Sequence, residues 1–426
     1  MADPAIRMTR HGYGLATGLF AVEGDDLHVG GLAVRDIVSA VGSPAYLYDG
    51  AVMRGAYRRL AAALGGFAAI YYSVKANPAR GVIRLFLDEG AGVEIASLGE
   101  YHAAIAAGAK PERILFAGPG KRQAELATVI EGGIGEIHIE GLDEIERLRA
   151  IGRPVRASLR INPVPAVQAG AMRMGGKATA FGFDEEDLDA AIAAVAAVPN
   201  IELVGIHVYG GTQILDAAAL IESWRHAITL AARVARTSGR PLATIDLGGG
   251  LGIPYYDGDR PLDLDAVAAA IPDLTALMRA EPLLSGARAV VEPGRFLVGQ
   301  AGLYVSEINA VKVSRGVRFL VLEGGMNHHL AASGNLGQVI KRNYPVVAPA
   351  RMRAAPDLPA TVVGPLCTPL DTLARDTGLP ELRAGDLVAV LQSGAYGLTA
   401  SPVHFLSHPS PAEALVEDGT IERLDQ

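Results

Sequence analysis

Residues 71–78 read Tyr71-Tyr72-Ser73-Val74-Lys75-Ala76-Asn77-Pro78. An apolar run ends in a charged side chain, and an Asn-Pro turn follows at once. A lysine at the mouth of a buried strand loses water, and that loss lowers the pKa of its ammonium. The free amine is then ready to form a Schiff base with a carbonyl. The alternative is a lysine that only closes the strand while its head reaches water. The rest of the chain decides between the two.

The stretch opens a series. Short apolar runs that read as strands recur at 68–76, 92–97, 113–118, 136–140, 156–162, 202–209, 243–249 and 287–294. Helical periods lie between them. In one, Leu188, Ile192 and Val195 fall on a single face. Other helices are expected near 79–90, 97–108, 121–132, 142–152, 215–237 and 263–281. Eight β-α units in about 230 residues fit a (β/α)8 TIM-type barrel, with a doubly wound sheet as the rival. The barrel reading explains one further pattern. Lys75, Ser97, Glu140, Arg160, His207, the glycines at 248–250 and Glu292 all fall at strand C-termini, where barrel enzymes carry their chemistry.

After residue 295 the pattern changes to strands at 302–313, 316–322, 359–365 and 386–392, separated by Gly, Pro and Asn turns. A C-terminal β domain of sandwich or barrel-like form is expected. The first 45 or so residues lack a helical period through His28 to Val34 and are expected to pack with it. The expected division is therefore an N-terminal segment 1–45, a barrel 46–295 and a β domain 296–426.

Composition narrows the function classes. Apolar residues make up 50% and charged residues 20% of 426, which suits two well-packed domains and argues against disorder. The net charge of −8 comes from interspersed acids and bases without a basic stripe, so nucleic-acid binding lacks support. Met1 to Arg10 has no apolar signal core, and no run reaches the ~18 apolar residues of a membrane span. The expectation is a soluble cytoplasmic protein. Cys367 is the single cysteine, which rules out an intrachain disulfide and leaves inert packing or a reactive thiol.

Several motifs carry candidate chemistry. Asp246-Leu247-Gly248-Gly249-Gly250-Leu251-Gly252 follows a strand, and consecutive glycines let backbone N–H groups approach an anion. A helix after it would add its positive end. The spacing matches neither a dinucleotide-binding nor a Walker loop. Glu292-Pro293-Gly294-Arg295 offers a carboxylate for a protonated ring nitrogen beside groups for a phosphate or carboxylate. His207 stands before the turn Gly210-Gly211 as a ligand or stacking candidate. Cys367 and Tyr396 lie on Gly-flanked loops of the second domain. His328, His329, His404 and His408 invite a metal reading, but the carboxylate-histidine spacing of a zinc site is missing, and no metal is expected.

In order, VKANP (74–78), GVEIAS (92–97), GPGK (118–121), GIHVYGGTQ (205–213), DLGGGLG (246–252), EPGR (292–295), GPLC (364–367) and GAYG (394–397) resemble the fold-type III pyridoxal-phosphate decarboxylases. These include the diaminopimelate, ornithine and arginine decarboxylases. The resemblance runs from about Ala45 to Pro409. It implies pyridoxal 5'-phosphate bound covalently to Lys75, with Glu292 at the pyridine nitrogen and His207 stacked on the ring. Gly248, Gly249, Gly250, Gly294 and Arg295 would hold the phosphate, helped by Tyr396. Glu100 is a weaker transfer to the phosphate or ring. The resemblance also implies a homodimer with shared sites, in which Cys367 of one protomer returns a proton after CO2 leaves the other.

The departures bear on substrate. Basic-amino-acid decarboxylases carry an acid after the cysteine, where this chain has Thr368. Diaminopimelate decarboxylases carry an arginine stretch where this chain reads Gly324-Gly325-Met326-Asn327-His328-His329-Leu330. GGMNHH (324–329), RNYP (342–345), SGAYGL (393–398) and SPVHFLSHP (401–409) resemble a subgroup instead: carrier-protein-linked glutamate decarboxylases of the butirosin type and exosortase-associated decarboxylases. That implies an aminoacyl group tethered to an acyl carrier protein. The negative net charge then calls for a local basic patch, for which Arg173, Lys177, Lys341 and Arg342 are candidates. Three other readings stay open: a free diaminopimelate or related amino-acid decarboxylase, an alanine-racemase-like enzyme, and a non-catalytic homologue that binds a partner.

Overall fold

The computed structural model describes residues 4–164, 178–338 and 341–424. It divides into two compact units, one of Tyr57–Ile253 with Pro261–Phe296, the other of Met1–Ala56 with Pro254–Arg260 and Leu297–Gln426.

The first unit is a closed parallel barrel. Its strands are β1 (Ala68–Ser73), β2 (Gly92–Ile95), β3 (Ile114–Phe116), β4 (Glu136–Ile139), β5 (Val155–Asn162), β6 (Ile201–Val208), β7 (Thr244–Asp246) and β8 (Arg288–Val291). Each pairs with the next, and β8 returns to β1 through Ala289↔Ala68, Val290↔Ala69 and Val291↔Ile70. A short strand, Phe183–Asp184, adds to β5. All eight expected strands form, each within a few residues of its expected bounds.

Period-two alternation decides what each strand turns inward. Ala69, Tyr71, Leu115 and Val290 pack together as an apolar plug. Further along the same strand faces the side chains turn polar: Ser73, Glu94, Glu136, His138, Ser158, Arg160, His207, Asp246 and Glu292 are all buried. The opposite faces meet helices whose apolar stripes fit them. Leu188, Ala191, Ile192 and Val195 are buried on helix Leu188–Ala196, which includes the three residues expected there. Side-chain caps fix helix starts: Ser97 accepts from Glu100 N, Asp216 from Ala218 and Ala219 N, and Asp263 from Ala266 N. Each cap contributes about 1 kcal/mol.

The second unit is mostly β. Gly302–Ser314 is its spine. It pairs with Ala45–Asp49, with Leu387–Val390 and with Val317–Leu322, and the sheet continues to Leu358–Val363 and Thr372–Leu379. Residues 45–49, whose last four were expected to open the barrel, form a central strand here between 302–305 and 412–416. All five are buried. The N-terminal segment adds helix Pro4–Leu19 and a three-stranded sheet of Val22–Glu23, Asp26–Val29 and Leu32–Ala33. Leu27 N donates to Pro349 O and Met352 N to Asp25 O, which ties that sheet to the unit's loops. Among the described residues, no helix is long and apolar enough to cross a membrane.

Candidate active site

β1 ends in a single turn, Val74–Ala76, that carries Lys75. Tyr72 OH donates to Asn77 O at 2.7 Å, and Ala79 N donates to Asn77 Oδ1 at 3.1 Å, so the turn is pinned on both sides. Lys75 Nζ lies 2.9 and 3.0 Å from the two carboxylate oxygens of Glu94. Glu94 also accepts from Ser73 Oγ, its cross-strand neighbour, at 2.5 Å. The lysine expected to be stripped of water is instead 42% exposed and paired with this buried carboxylate. Register explains the difference: the strand pairing that aligns Ser73 with Glu94 brings the carboxylate to the same mouth. Glu100 folds back on its own helix start and accepts from Ala96 N at 2.6 Å. Burial, with the charge of Glu94, pushes its carboxyl up to about 7.

A second cluster lies on β6, β7, the end of β8, and β4. His207 is in register with Arg160 on one side and Asp246 on the other. Its Nε2 sits 3.3 Å from Glu292 Oε2. Burial lowers the His207 pKa to about 4, so the ring is neutral near neutral pH. Glu292 and Asp246 are neighbouring carboxyls in one buried site. Burial, followed by the charge of Glu292, raises the Asp246 carboxyl well above its ordinary range. Burial acts on Glu292 in the same direction, but the imidazoles and Lys75 outweigh it and hold Glu292 below the ordinary carboxylate range. The two carboxyls are thus pushed in opposite directions within one buried site. His138 packs on His207 with ring centroids 4.5 Å apart.

The glycine turn threads through this cluster. Gly248 N donates to Asp246 Oδ1 at 2.9 Å, and Glu292 N donates to Gly248 O at 2.9 Å. Gly248 and Gly250 have φ of 71° and 92°, in the left-handed region that favours glycine. A Cβ on Gly248, Gly249 or Gly250 would come within 2.3–2.5 Å of the carbonyl oxygens of Val208, Glu292 and Gly211. Gly294 packs as closely on the lysine turn: a Cβ there would lie 2.8 Å from Ala76 Cβ. Arg295 follows, partly buried. After the turn Leu251 makes a bridge to Ile214, and the next helix, expected near 263–281, is Leu264–Arg279, so no helix start follows the glycines directly.

Lys75, Glu94, His207, Asp246, the glycines and Glu292 thus share five consecutive strands of the closed sheet, β6-β7-β8-β1-β2. Among the described residues, several buried atoms in this cluster have no hydrogen-bond partner: both ring nitrogens of His207 and of His138, Glu292 Oε1 and Asp246 Oδ2. Glu94, His138 and Asp246 were not among the expected site residues. Each stands as a polar residue at alternate positions of an otherwise apolar strand, which is the signal that marks them.

Cys367 and Tyr396 belong to the β unit. Cys367 is exposed, in a loop organised by buried Asp371. Asp371 accepts from Leu366 N at 2.9 Å and from Met326 N at 2.6 Å, so it joins the 364–371 and 324–329 segments. Tyr396 adopts a positive φ of 53°. His328 and His329 are core residues. His328 lies 3.2 Å from Tyr304 OH through Nδ1 and 3.0 Å from Pro409 O through Nε2. His329 Nε2 lies 2.9 Å from Ser393 Oγ, and its Nδ1 accepts from Ala332 N at 3.3 Å. Among the described residues, the one trio with metal-ligand spacing is His138, His207 and Glu292. Among the described residues, His328, His329, His404 and His408 do not gather into such a group.

The family model for the pyridoxal-dependent decarboxylase pyridoxal binding domain matches residues 51–299. The L-glutamyl-[BtrI acyl-carrier protein] decarboxylase of Niallia circulans is 39% identical over 389 residues, 90% of each chain. The diaminopimelate decarboxylase of Zymomonas mobilis is 32% identical over 408 residues, 93% of each chain. The solved structure of diaminopimelate decarboxylase from Helicobacter pylori, complexed with L-lysine, has a TM-score of 0.80 at 27% identity, covering 91% of this chain and 95% of that one. With this agreement over nearly its whole length, the chain belongs to the pyridoxal-dependent decarboxylases and is a carboxy-lyase that acts on an amino acid with pyridoxal 5'-phosphate as cofactor.

Proposed function

We propose that the barrel mouth holds the cofactor and that the substrate is an aminoacyl group tethered to an acyl carrier protein. The fit at the mouth rests on its unpartnered buried atoms. A buried polar atom without a partner costs about 1–3 kcal/mol, so a concentration of them in one place is completed by something that binds there. Lys75 supplies the amine for a covalent link. Glu292, held anionic, suits a protonated ring nitrogen, and neutral His207 offers a flat face to the ring. The glycine turn Gly248-Gly249-Gly250, whose first N–H is held by Asp246 Oδ1, lets the backbone come close to the phosphate, with Gly294 and Arg295 beside it. When bound, pyridoxal phosphate supplies an electron sink for the charge left as CO2 departs.

The other groups act on protons and position. Glu94 orients Lys75 Nζ. Asp246 fixes the glycine turn beside Glu292 by accepting from Gly248 N. Cys367 Sγ is the proposed proton donor to the substrate carbon, delivered across a homodimer interface, as the family resemblance implies. A cytoplasmic site of action accompanies this reading.

The α-carboxylate departs as CO2, so a thioester to a carrier must sit on the distal carboxyl. The tether removes the distal charge. A site for such a substrate needs no distal ion partner. Thr368 stands where an acid would meet a distal ammonium. His328 and His329, in the segment that replaces the arginine stretch, are buried with protein partners and so are not free to pair a carboxylate. This burial is the observation that carries the reading, and the named activity of the Niallia circulans relative agrees with it. Of the basic-patch candidates, Arg173 and Lys177 lie outside the described residues. Lys341 and Arg342 are exposed; Lys341 donates to Asn335 Oδ1 at 2.5 Å, and the Arg342 guanidinium sits 3.7 Å over the Tyr256 ring.

The test is CO2 release from glutamyl carrier thioester, diaminopimelate, lysine and ornithine under identical conditions. Two charge-assisted contacts are missing, each worth about 1.5–3 kcal/mol. The carrier substrate should therefore lead by roughly a hundredfold or more in kcat/KM. Free diaminopimelate as the best substrate by a wide margin would replace this reading with that of a free amino-acid decarboxylase.

A further inference from the structure

His138 has no part in the scheme above, yet its side chain is fully buried inside the barrel. Its strand alternates Glu136-Ile137-His138-Ile139. The isoleucines take the outward face, and Glu136 and His138 take interior positions that in barrels of this kind are dominated by bulky branched residues. Burying a polar ring in such a place without hydrogen bonds is costly.

Its surroundings are rigid. The His138 and His207 rings lie 4.5 Å apart at 32°. His138 Nε2 lies 3.7 Å from Glu136 Oε1 and 3.8 Å from Asp246 Oδ2, and neither ring nitrogen has a hydrogen-bond partner. Both carboxylates are anchored by other groups. Glu136 accepts from the hydroxyls of Ser158 and Thr244, the latter at 2.9 Å. Asp246 accepts from Gly248 N at 2.9 Å. The backbone of His138 is held too, since buried Lys121 donates to its carbonyl at 2.7 Å while pairing with Glu144 at 2.8 Å.

We infer that His138 is a positioning residue: it backs the His207 ring and couples it, through Asp246, to the glycine turn and Glu292. This rests on the reading that His207 meets the cofactor. The ring backs His207 on one face, while Glu292 Oε2, 3.3 Å from His207 Nε2, holds its edge; together they set its depth and tilt. The titratable groups that face it are Glu136 on its own strand, His207 on β6, Asp246 on β7 and Glu292 after β8, with Arg160 and Lys75 acting on the same cluster.

Two variants separate contact from charge. His138→Phe keeps a ring against His207 and removes the nitrogens, while His138→Asn removes the ring. Each is first checked for folding by circular dichroism and melting. The readouts are equilibrium binding of pyridoxal phosphate to apoenzyme, the pH dependence of the cofactor absorption band, and kcat with KM. His138→Asn should weaken cofactor binding about three- to tenfold, the worth of an aromatic pair, and lower kcat with KM within about twofold. His138→Phe should restore the binding but shift the pH at which the absorption band changes. If the wild type binds cofactor and both variants match it in affinity and in the pH course of the spectrum, this inference is overturned alone. If the wild type binds no pyridoxal phosphate, the site reading falls and the inference falls with it.

Discussion

His207 in the barrel and His329 in the β unit are equally buried, and burial depresses both, to about 4 and about 3 respectively. Their surroundings differ. His329 has Ser393 Oγ on one ring nitrogen and Ala332 N on the other. His207 has a hydrogen-bond partner on neither. A satisfied buried histidine is a pin that holds a core together. An unsatisfied one, beside an anionic carboxylate and a glycine turn, is half of a contact that a ligand completes. Burial and pKa alone cannot tell the two apart; the inventory of partners can.

That contrast is sharpest where the β unit departs from pure scaffold, at the loop that bears Cys367. Lys75→Ala and Cys367→Ala should each drop activity to the detection floor. Mixed and allowed to exchange, they should recover about a quarter of the wild-type rate, because half the dimers of a symmetric exchange are mixed and each holds one intact site. Recovery is measured as CO2 release after mixing. A fully active Cys367→Ala protein would return that thiol to plain packing.

The next largest effect tests the two histidine environments directly. Glu292→Gln should lower kcat about 10²–10³-fold by removing a preorganised charge, with little change in melting temperature. His329→Phe should do the reverse. It leaves Ala332 N without its side-chain partner, while Ser393 Oγ keeps Val390 O; it costs about 1–3 kcal/mol of stability and keeps kcat per folded molecule near wild type. Denaturation curves and active-site-normalised rates measure both. The comparison breaks if His329→Phe loses activity while keeping its stability.

The smallest effect is in pH. Burial lowers His328 to about 4 and His329 to about 3, against about 6.5 in the unfolded chain. Between those values the unfolded state binds more protons, so stability rises with pH. The contribution of these residues is complete above about pH 6.5 and is lost as pH falls toward 4 and 3. Melting temperature followed against pH should show a shallower acid loss in His329→Phe than in wild type. Identical slopes would mean that His329 is not the buried neutral group described.

Much of this was legible in the sequence. The eight barrel strands could be read because their apolar runs are punctuated by glycine and proline and separated by helical periods. The strand-end positions of Lys75, His207, the glycines and Glu292 could be read because a charged or glycine-rich segment interrupts each run. Membership of 45–49 could not, since the apolar run Ala45 to Tyr48 suits a strand of either unit and only pairing with 302–305 and 412–416 settles it. The partner of Lys75 also stayed hidden, because Glu94 reaches it through a cross-strand register that no local pattern encodes. His328 and His329 read as candidate ligands until Ser393 and Pro409, 64 and 81 residues away in the chain, were found to satisfy them.

The central claim is that the unsatisfied cluster in the barrel is where the cofactor is held, on Lys75. Borohydride reduction of the holoenzyme, followed by digestion and mass spectrometry, tests it most directly. The account predicts a yellow protein and a single reduced adduct, on the peptide that contains Lys75, which is absent from Lys75→Ala. An adduct on another lysine, or one that persists in Lys75→Ala, would contradict it.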